Sequence, residues 1–301
     1  MDTGAGHRSV LRDEVLRLLD PSGRNVLVDC TVGLGGHAEA LLAAAGPQAS
    51  LIGIDVDEEN LRLAKERLDR FGHRVRWFHA DHADLDAVLD EAGAKTADVI
   101  LADLGVSTNQ LEDPQRGLSF QTDGPLDMRL DRRAPRTAAD LVNELPEPQL
   151  ADLIYAYGED RYSRRIARAI VAARKRKRIG RTGELAQIVA RAYPAAARRS
   201  RRGVHPATRT FQALRIYLNG MLGSLDGLLS KIPVCLAVGG RAGVISFQSL
   251  EDRRVKQAFA DWAQTGRARL VNRKVVKPAA EEVASNPKSR SARLRAIERI
   301  A

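Results

Sequence analysis

Three apolar runs early in the chain end in aspartate, and segments with helical spacing fill the gaps between them. Val26-Leu27-Val28-Asp29, Leu51-Ile52-Gly53-Ile54-Asp55 and Val99-Ile100-Leu101-Ala102-Asp103 are short and apolar nearly throughout. Such runs suit strands covered on both faces, as in a parallel α/β sheet. Val75-Arg76-Trp77-Phe78 adds a further strand. Helical spacing over Ala38–Ala45 stops at Gly46-Pro47, and Asp57–Phe71 places Leu61, Ala64 and Leu68 on one face ahead of Gly72. Leu85–Ala92 reads as another helix.

The alternation breaks after residue 108. Thr108–Asp131 holds Gly, Pro and Asp with little periodicity, and reads as an extended loop. Helices follow. Thr137-Ala138-Ala139-Asp140 resembles a capping box with Asp in place of the longer Glu. Helices are predicted over Pro148–Tyr157, Ser163–Arg178 and Thr182–Tyr193. Residues 109–204 thus read as a mostly helical insertion into an α/β core formed by 1–108 and 205–301. In the second core segment Thr208–Leu229 reads as one long helix, Ala242–Phe247 as a fifth strand and Glu251–Ala263 as a helix. Ala268–Val276 and Ser291–Ile300 read as an antiparallel pair at the sheet edge.

The formal net charge of +10 is unevenly distributed. Residues 161–203 hold 15 Lys/Arg and one acid, Glu184, while the rest of the chain holds 33 bases and 37 acids. A concentrated basic segment points to nucleic acid, with a solvated Arg-rich helix surface as the alternative. Two cysteines, Cys30 and Cys235, are too few for a disulfide framework and suit a reducing compartment. No apolar stretch is long enough to span a membrane, and the N-terminus lacks the apolar core of a secretory signal, so a cytoplasmic location is expected. No His, Asp or Glu spacing suggests a metal site.

The first strand runs into Asp29-Cys30-Thr31-Val32-Gly33-Leu34-Gly35-Gly36-His37-Ala38. A glycine-rich turn ahead of a helix lets the backbone approach a ligand, with free N–H groups behind it. Asp55 closes the second strand 20 residues after Gly35, where a carboxylate accepts ribose hydroxyls or caps the next helix. Together they suggest an adenosine-containing cofactor, either a nicotinamide dinucleotide or S-adenosylmethionine. Asp29 favours the latter, since it suits an ammonium and would repel a pyrophosphate. Asp103-Leu104-Gly105-Val106-Ser107 ends the fourth strand with an acid, where amino-methyltransferases hold the target amine. The Pro-Pro-aromatic sequence that usually follows is absent, and a helix cap or turn fits Asp103 equally well.

The ordered motifs resemble one family. They include His7-Arg8-Ser9-Val10-Leu11, Gly33-Leu34-Gly35-Gly36-His37, Arg116-Gly117-Leu118-Ser119-Phe120 and Asp123-Gly124-Pro125-Leu126-Asp127-Met128-Arg129. Tyr157-Gly158-Glu159, His205-Pro206-Ala207-Thr208-Arg209-Thr210-Phe211, Ser249-Leu250-Glu251-Asp252-Arg253 and Asn286-Pro287-Lys288-Ser289-Arg290-Ser291 follow in order. The chain resembles the RsmH (MraW) family of bacterial 16S ribosomal RNA cytosine-N4 methyltransferases. The resemblance implies a Rossmann-like class I S-adenosylmethionine-dependent core with an inserted domain for RNA recognition. It places donor binding on Gly35, Gly36, His37, Asp55, His82, Asp103 and Gln110. Asp103 is also the candidate acceptor for the target amino group. His82 stands where the family often has an aromatic, with Asp81 as an alternative partner for adenine, and Gln248 stands where it usually has His.

An unpaired or swung-out cytosine in the small ribosomal subunit is the implied target. Arg174 and Arg176, within Arg174-Lys175-Arg176-Lys177-Arg178, suit phosphate contacts, as does Arg198-Arg199-Ser200-Arg201-Arg202. Asp127, Arg129 and Arg209 are candidates for substrate contact or for a buried ion-pair network. A homodimer is compatible with these features. Two other readings stay open: a nicotinamide-dependent oxidoreductase on the same fold, and an RNA-binding assembly factor without catalysis.

Overall fold

A computed structural model describes residues 9–195 and 205–301. His7-Arg8 and the Arg198–Arg202 run lie outside the described residues. The chain divides into two compact units, Met1–Gly105 with Gly223–Ala301, and Val106–Leu222. The insertion therefore ends at Leu222 rather than at 204, and begins at Val106 rather than 109.

The first unit is built on seven strands, β1 (Val26–Asp29), β2 (Ser50–Asp55), β3 (Val75–His79), β4 (Ala97–Asp103), β5 (Leu236–Ser246), β6 (Ala268–Leu270) and β7 (Arg293–Arg299). Their order is β3-β2-β1-β4-β5-β7-β6. β1 to β5 pair in parallel, and β7 runs antiparallel between β5 and β6. Adjacent residues serve opposite faces, which is why the strands read as unbroken apolar runs. Leu27, Leu51, Val99, Leu101 and Ile245 pack on one face with α1 (Arg12–Leu19), α2 (Gly36–Ala45) and Leu68 of α3 (Glu58–Leu68). Val28, Ile52, Ile54, Ile100, Ala102 and Val244 pack on the other with α4 (Leu85–Glu91). The strand order reverses between β1 and β4, so a crevice opens beyond their carboxyl ends, where open α/β sheets bind ligands.

Two expectations about the sheet need adjusting. β5 begins at Leu236, before the apolar run, and its pairing to β4 is irregular between Ala97 and Val99. The edge strand is shorter than Ala268–Val276, because only Ala268–Leu270 pairs continuously, and Val276 makes an isolated bridge to Leu294. The antiparallel pairing itself is present.

The second unit contains α5 (Thr108–Glu112), α6 (Ala138–Glu144), α7 (Glu147–Gly158), α8 (Ser163–Arg174), α9 (Thr182–Ala192) and α10 (Thr208–Leu218). The expected extended loop at Thr108–Asp131 thus opens with a short helix. Beyond it the chain folds tightly: a Cβ on Gly124 would lie 1.9 Å from Pro114 O, so glycine is required there. The expected helix Thr208–Leu229 is two helices, α10 and α11 (Met221–Cys235), parted at Asn219-Gly220 with Gly220 at φ +59°. Asn219 explains the break. Its Oδ1 accepts from Leu130 N at 2.8 Å and its Nδ2 donates to Met128 O at 2.9 Å, which draws the chain onto the loop. α8 stops at Arg174 rather than Arg178. α12 (Ser249–Gln264) and α13 (Ala280–Ser285) complete the first unit. No helix among the described residues is long and apolar enough to cross a membrane.

Candidate active site

The turn after β1 is shaped by packing as well as by backbone freedom. Gly33 and Gly35 have φ of +54° and +78°, a region that disfavours any side chain. A Cβ on Gly35 would stand 2.5 Å from Leu68 Cδ1, and one on Gly36 would stand 2.2 Å from Ser9 Oγ. The turn is therefore pressed between α3 and the N-terminal segment, and Gly33 N is held by Asp55 Oδ2 at 2.8 Å.

Asp55 sits at the end of β2, nearly buried, and also accepts from Asp57 N at 2.8 Å and Asn60 Nδ2 at 3.3 Å. It ties the glycine turn to the start of α3. An ionised carboxylate only accepts hydrogen bonds, which is the chemistry a ribose hydroxyl would meet at this position.

Asp29, His37 and Asp103 converge from β1, α2 and β4. Thr31 links them: its N–H donates to Asp29 Oδ1 at 3.1 Å, and its Oγ1 accepts from Asp103 N at 2.6 Å. His37 Nε2 stands 3.5 Å from Asp103 Oδ2, an ion-pair distance without hydrogen-bond geometry. Asp29 Oδ2, Asp103 Oδ1 and both His37 ring nitrogens are buried and without hydrogen-bond partners. Burial raises the Asp29 carboxyl to about 7 against the opposing pull of His37. At His37 burial acts to lower the imidazole pKa, but the carboxylates of Asp103 and Asp29 prevail and raise it.

Orphaned buried polar atoms are rare and ask for a ligand. Two carboxylates and an imidazole with vacant hydrogen-bonding positions beside a glycine turn fit an ammonium and a cationic centre, and reject a pyrophosphate. S-adenosylmethionine meets that requirement.

His82 opens a short turn after β3. It is largely buried, its Nε2 has no hydrogen-bond partner, and burial lowers its pKa, so the ring is neutral. Asp81, the alternative adenine partner, is already engaged. Its Oδ1 accepts from Ala83 N at 2.9 Å and its Oδ2 from Ser224 Oγ. Gln110 belongs to the other unit, where its side chain accepts from Ser107 N at 2.9 Å in the capping box of α5. Gln248, the other departure, forms the N-cap of α12 in a capping box with Glu251, which sequence position alone did not reveal.

In the second unit the candidates are dispersed. Asp127 and Arg129 form a two-bond fork, with Nε–Oδ1 and Nη2–Oδ2 both 2.8 Å, while Arg129 Nη1 donates to Arg132 O and Ala134 O. That arrangement braces the loop, and Asp127 is held below the usual carboxylate range by Arg129 against its burial. Arg174 donates to Val142 O at 2.8 Å, Arg209 to Glu159 O at 2.8 Å, and Arg176 is exposed. Tyr162 and Tyr193 pack edge to face, with Tyr193 buried and bonded to Asp160, so they serve the core.

The sheet order and this carboxylate-lined glycine turn define a class I S-adenosylmethionine-dependent methyltransferase. The MraW methylase family matches residues 4–300, and the chain belongs to that family. The ribosomal RNA small subunit methyltransferase H of Syntrophobacter fumaroxidans is 47% identical, covering 97% of this chain and 96% of that protein. Proteins of the same name from a Geobacter species and from Cutibacterium acnes are 46% and 45% identical, each covering 98% of this chain and 98% and 92% of theirs. Among solved structures, an rRNA methylase from Streptococcus thermophilus superposes with a TM-score of 0.43 at 11% identity, covering 96% of this chain and 94% of that one.

Proposed function

We propose that this enzyme methylates the N4 amino group of a cytosine in 16S ribosomal RNA near the decoding centre, acting in the cytoplasm on the small subunit or a late assembly particle. The observation that carries the reading is the convergence of Asp29, His37 and Asp103 on the glycine turn, their buried polar atoms lacking partners. Relatives bearing the small-subunit methyltransferase name over nearly the whole chain support the choice of RNA.

The roles follow from the chemistry each position offers. Gly35 and Gly36 admit the donor's amino-acid part to the backbone, with His37 beside it. Asp55 accepts ribose hydroxyls, neutral His82 stacks on or bonds to adenine, and Gln110 is assigned to the donor by the resemblance to the family. When bound, the donor supplies a methyl carbon already activated by a sulfonium. The protein's task is alignment, which by itself removes a large part of such a barrier. The lone pair of cytosine N4 is delocalised into the ring, and Asp103, accepting a hydrogen bond from that amine, localises it. The basic second unit holds the RNA, with exposed Arg176 and Arg209 on phosphate oxygens and Arg174 contributing the guanidinium hydrogens that Val142 does not take. The Asp127–Arg129 fork shapes the substrate-facing loop.

The test is methyl transfer to small subunits from a strain lacking the activity, read by nucleoside mass spectrometry. N4-methylcytidine is expected. Donor binding without that product would favour an assembly factor that has lost catalysis, and binding of a nicotinamide dinucleotide in place of the donor would favour an oxidoreductase.

A further inference from the structure

Methylating an amine liberates a proton, and the site contains a device suited to receive it. We infer that Asp29, His37 and Asp103 act as one proton-exchanging unit, which gives up a proton when the cationic donor binds and takes one from the target amine after methyl transfer. The inference rests on the donor assignment above and assigns a further role to the same residues.

The geometry gathers ionisable groups with uncommitted polar atoms in one place. Three ionisable groups from three elements meet behind the glycine turn, with the His37 ring 3.5 Å from Asp103. Neither ring nitrogen is committed to a hydrogen bond, and Asp29 Oδ2 and Asp103 Oδ1 are equally uncommitted. Asp29 and His37 each feel the other's charge, so these two titrate as a coupled pair. The surrounding charges are also in place. Asp55 faces Asp29 from β2 and favours proton retention there, Arg12 faces His37 from α1 and opposes it, and Cys30 is kept a neutral thiol by burial and Asp29. Without donor, burial and the neighbouring carboxylates favour a proton on Asp29 near neutral pH, and the carboxylates beside His37 favour its protonated form as well.

Charge balance then sets the sequence of events. The amino-acid end of S-adenosylmethionine is a zwitterion, so the sulfonium is its one excess charge. Bringing that cation against buried carboxylates favours their ionised form, and the proton leaves. In the reaction the nitrogen lone pair forms the new N–C bond, the C–S bond breaks, and its electron pair stays on sulfur. The nitrogen now carries the positive charge that sulfur has lost, and it sheds one of its original hydrogens as a proton. Asp103, which accepts the hydrogen bond from that amine, receives the proton, and His37 and Asp29 share it. The buried charge is the same before and after.

Calorimetry of the full-length protein near pH 7, in phosphate and in Tris, reads protons released on binding. With S-adenosylmethionine, the binding heat should differ between buffers by a large fraction of one proton. With S-adenosylhomocysteine, which lacks the sulfonium, it should differ clearly less. Affinity for the methylated compound should rise with pH, approaching about tenfold per unit below the cluster's pKa for a one-proton linkage. Asp29→Asn and His37→Asn should each diminish the release. Equal release for the two compounds, no release with the wild-type protein, or full release in both variants would overturn the inference while leaving the donor assignment standing. Failure of either compound to bind would overturn the donor assignment itself.

Discussion

Burying Asp29 opposes folding whenever its carboxyl is charged. Its value of about 7 in the folded chain lies above the ordinary 3.8, so the native state holds a proton that the unfolded state has lost across that interval. The contribution of Asp29 to stability therefore falls as pH rises from about 4 to about 7 and is level beyond. His37, also raised, acts in the same sense, because the stability its proton brings is lost as pH passes through the folded value. Asp29→Asn keeps the shape and removes the charge. Relative to wild type, the ligand-free variant should gain on the order of a few kcal/mol between about pH 5 and pH 8, since each pKa unit corresponds to about 1.4 kcal/mol. Thermal unfolding at both pH values checks this, and a difference that did not grow with pH would show that Asp29 ionises freely. The three strand-end acids were legible in the sequence because each closes an apolar run. The vacant bonds of His37 were not, since they depend on β1 and β4 being neighbours and on Thr31 bonding Asp103 across 72 residues.

Helices and strands were legible where period and punctuation agreed. The Thr137 capping box is present despite the shorter Asp: Asp140 Oδ2 accepts from Thr137 N at 2.8 Å, and Thr137 Oγ1 accepts from Asp140 N at 3.3 Å. Thr137→Ala should lower the stability of the second unit by about 1 kcal/mol, as loss of an N-cap generally does. Urea unfolding reports it, with donor affinity unchanged as the control. An unaltered midpoint would mean that packing alone holds α6. Where elements were misread, a long-range contact had overridden local pattern. Nothing in the spacing of Thr208–Leu229 distinguishes one helix from two, because the break is made by Asn219 bonding a loop about ninety residues earlier. β5 starts at Leu236 and runs through Ala237-Val238-Gly239-Gly240, which has poor strand character: Leu236 pairs with Ala97 of β4, and regular pairing with β4 and β7 begins at Arg241.

At the scale of the molecule, charge separates between the two units. Val106–Leu222 carries 22 basic and 12 acidic residues, and the remainder carries 26 of each, so the whole excess of +10 belongs to the unit without the glycine turn. Part of that charge has a structural use. Arg178 pairs with Asp140, Arg181 with Asp123, and Arg174 closes α6 by bonding Val142 O. Lys175, Arg176 and Lys177 are exposed at the end of α8 and are the better candidates for phosphate contact. Neutralising these three to Gln should weaken binding to small-subunit RNA at low salt. It should also flatten the salt dependence, because each phosphate contact contributes about 0.7 to 0.9 to the slope of log affinity against log salt. Donor affinity, measured by calorimetry, should not change, since the substitutions leave the neutral unit intact. Wild-type RNA affinity with a wild-type salt slope would remove this segment from the RNA interface and move the search to Arg209 and the exposed arginines of α8.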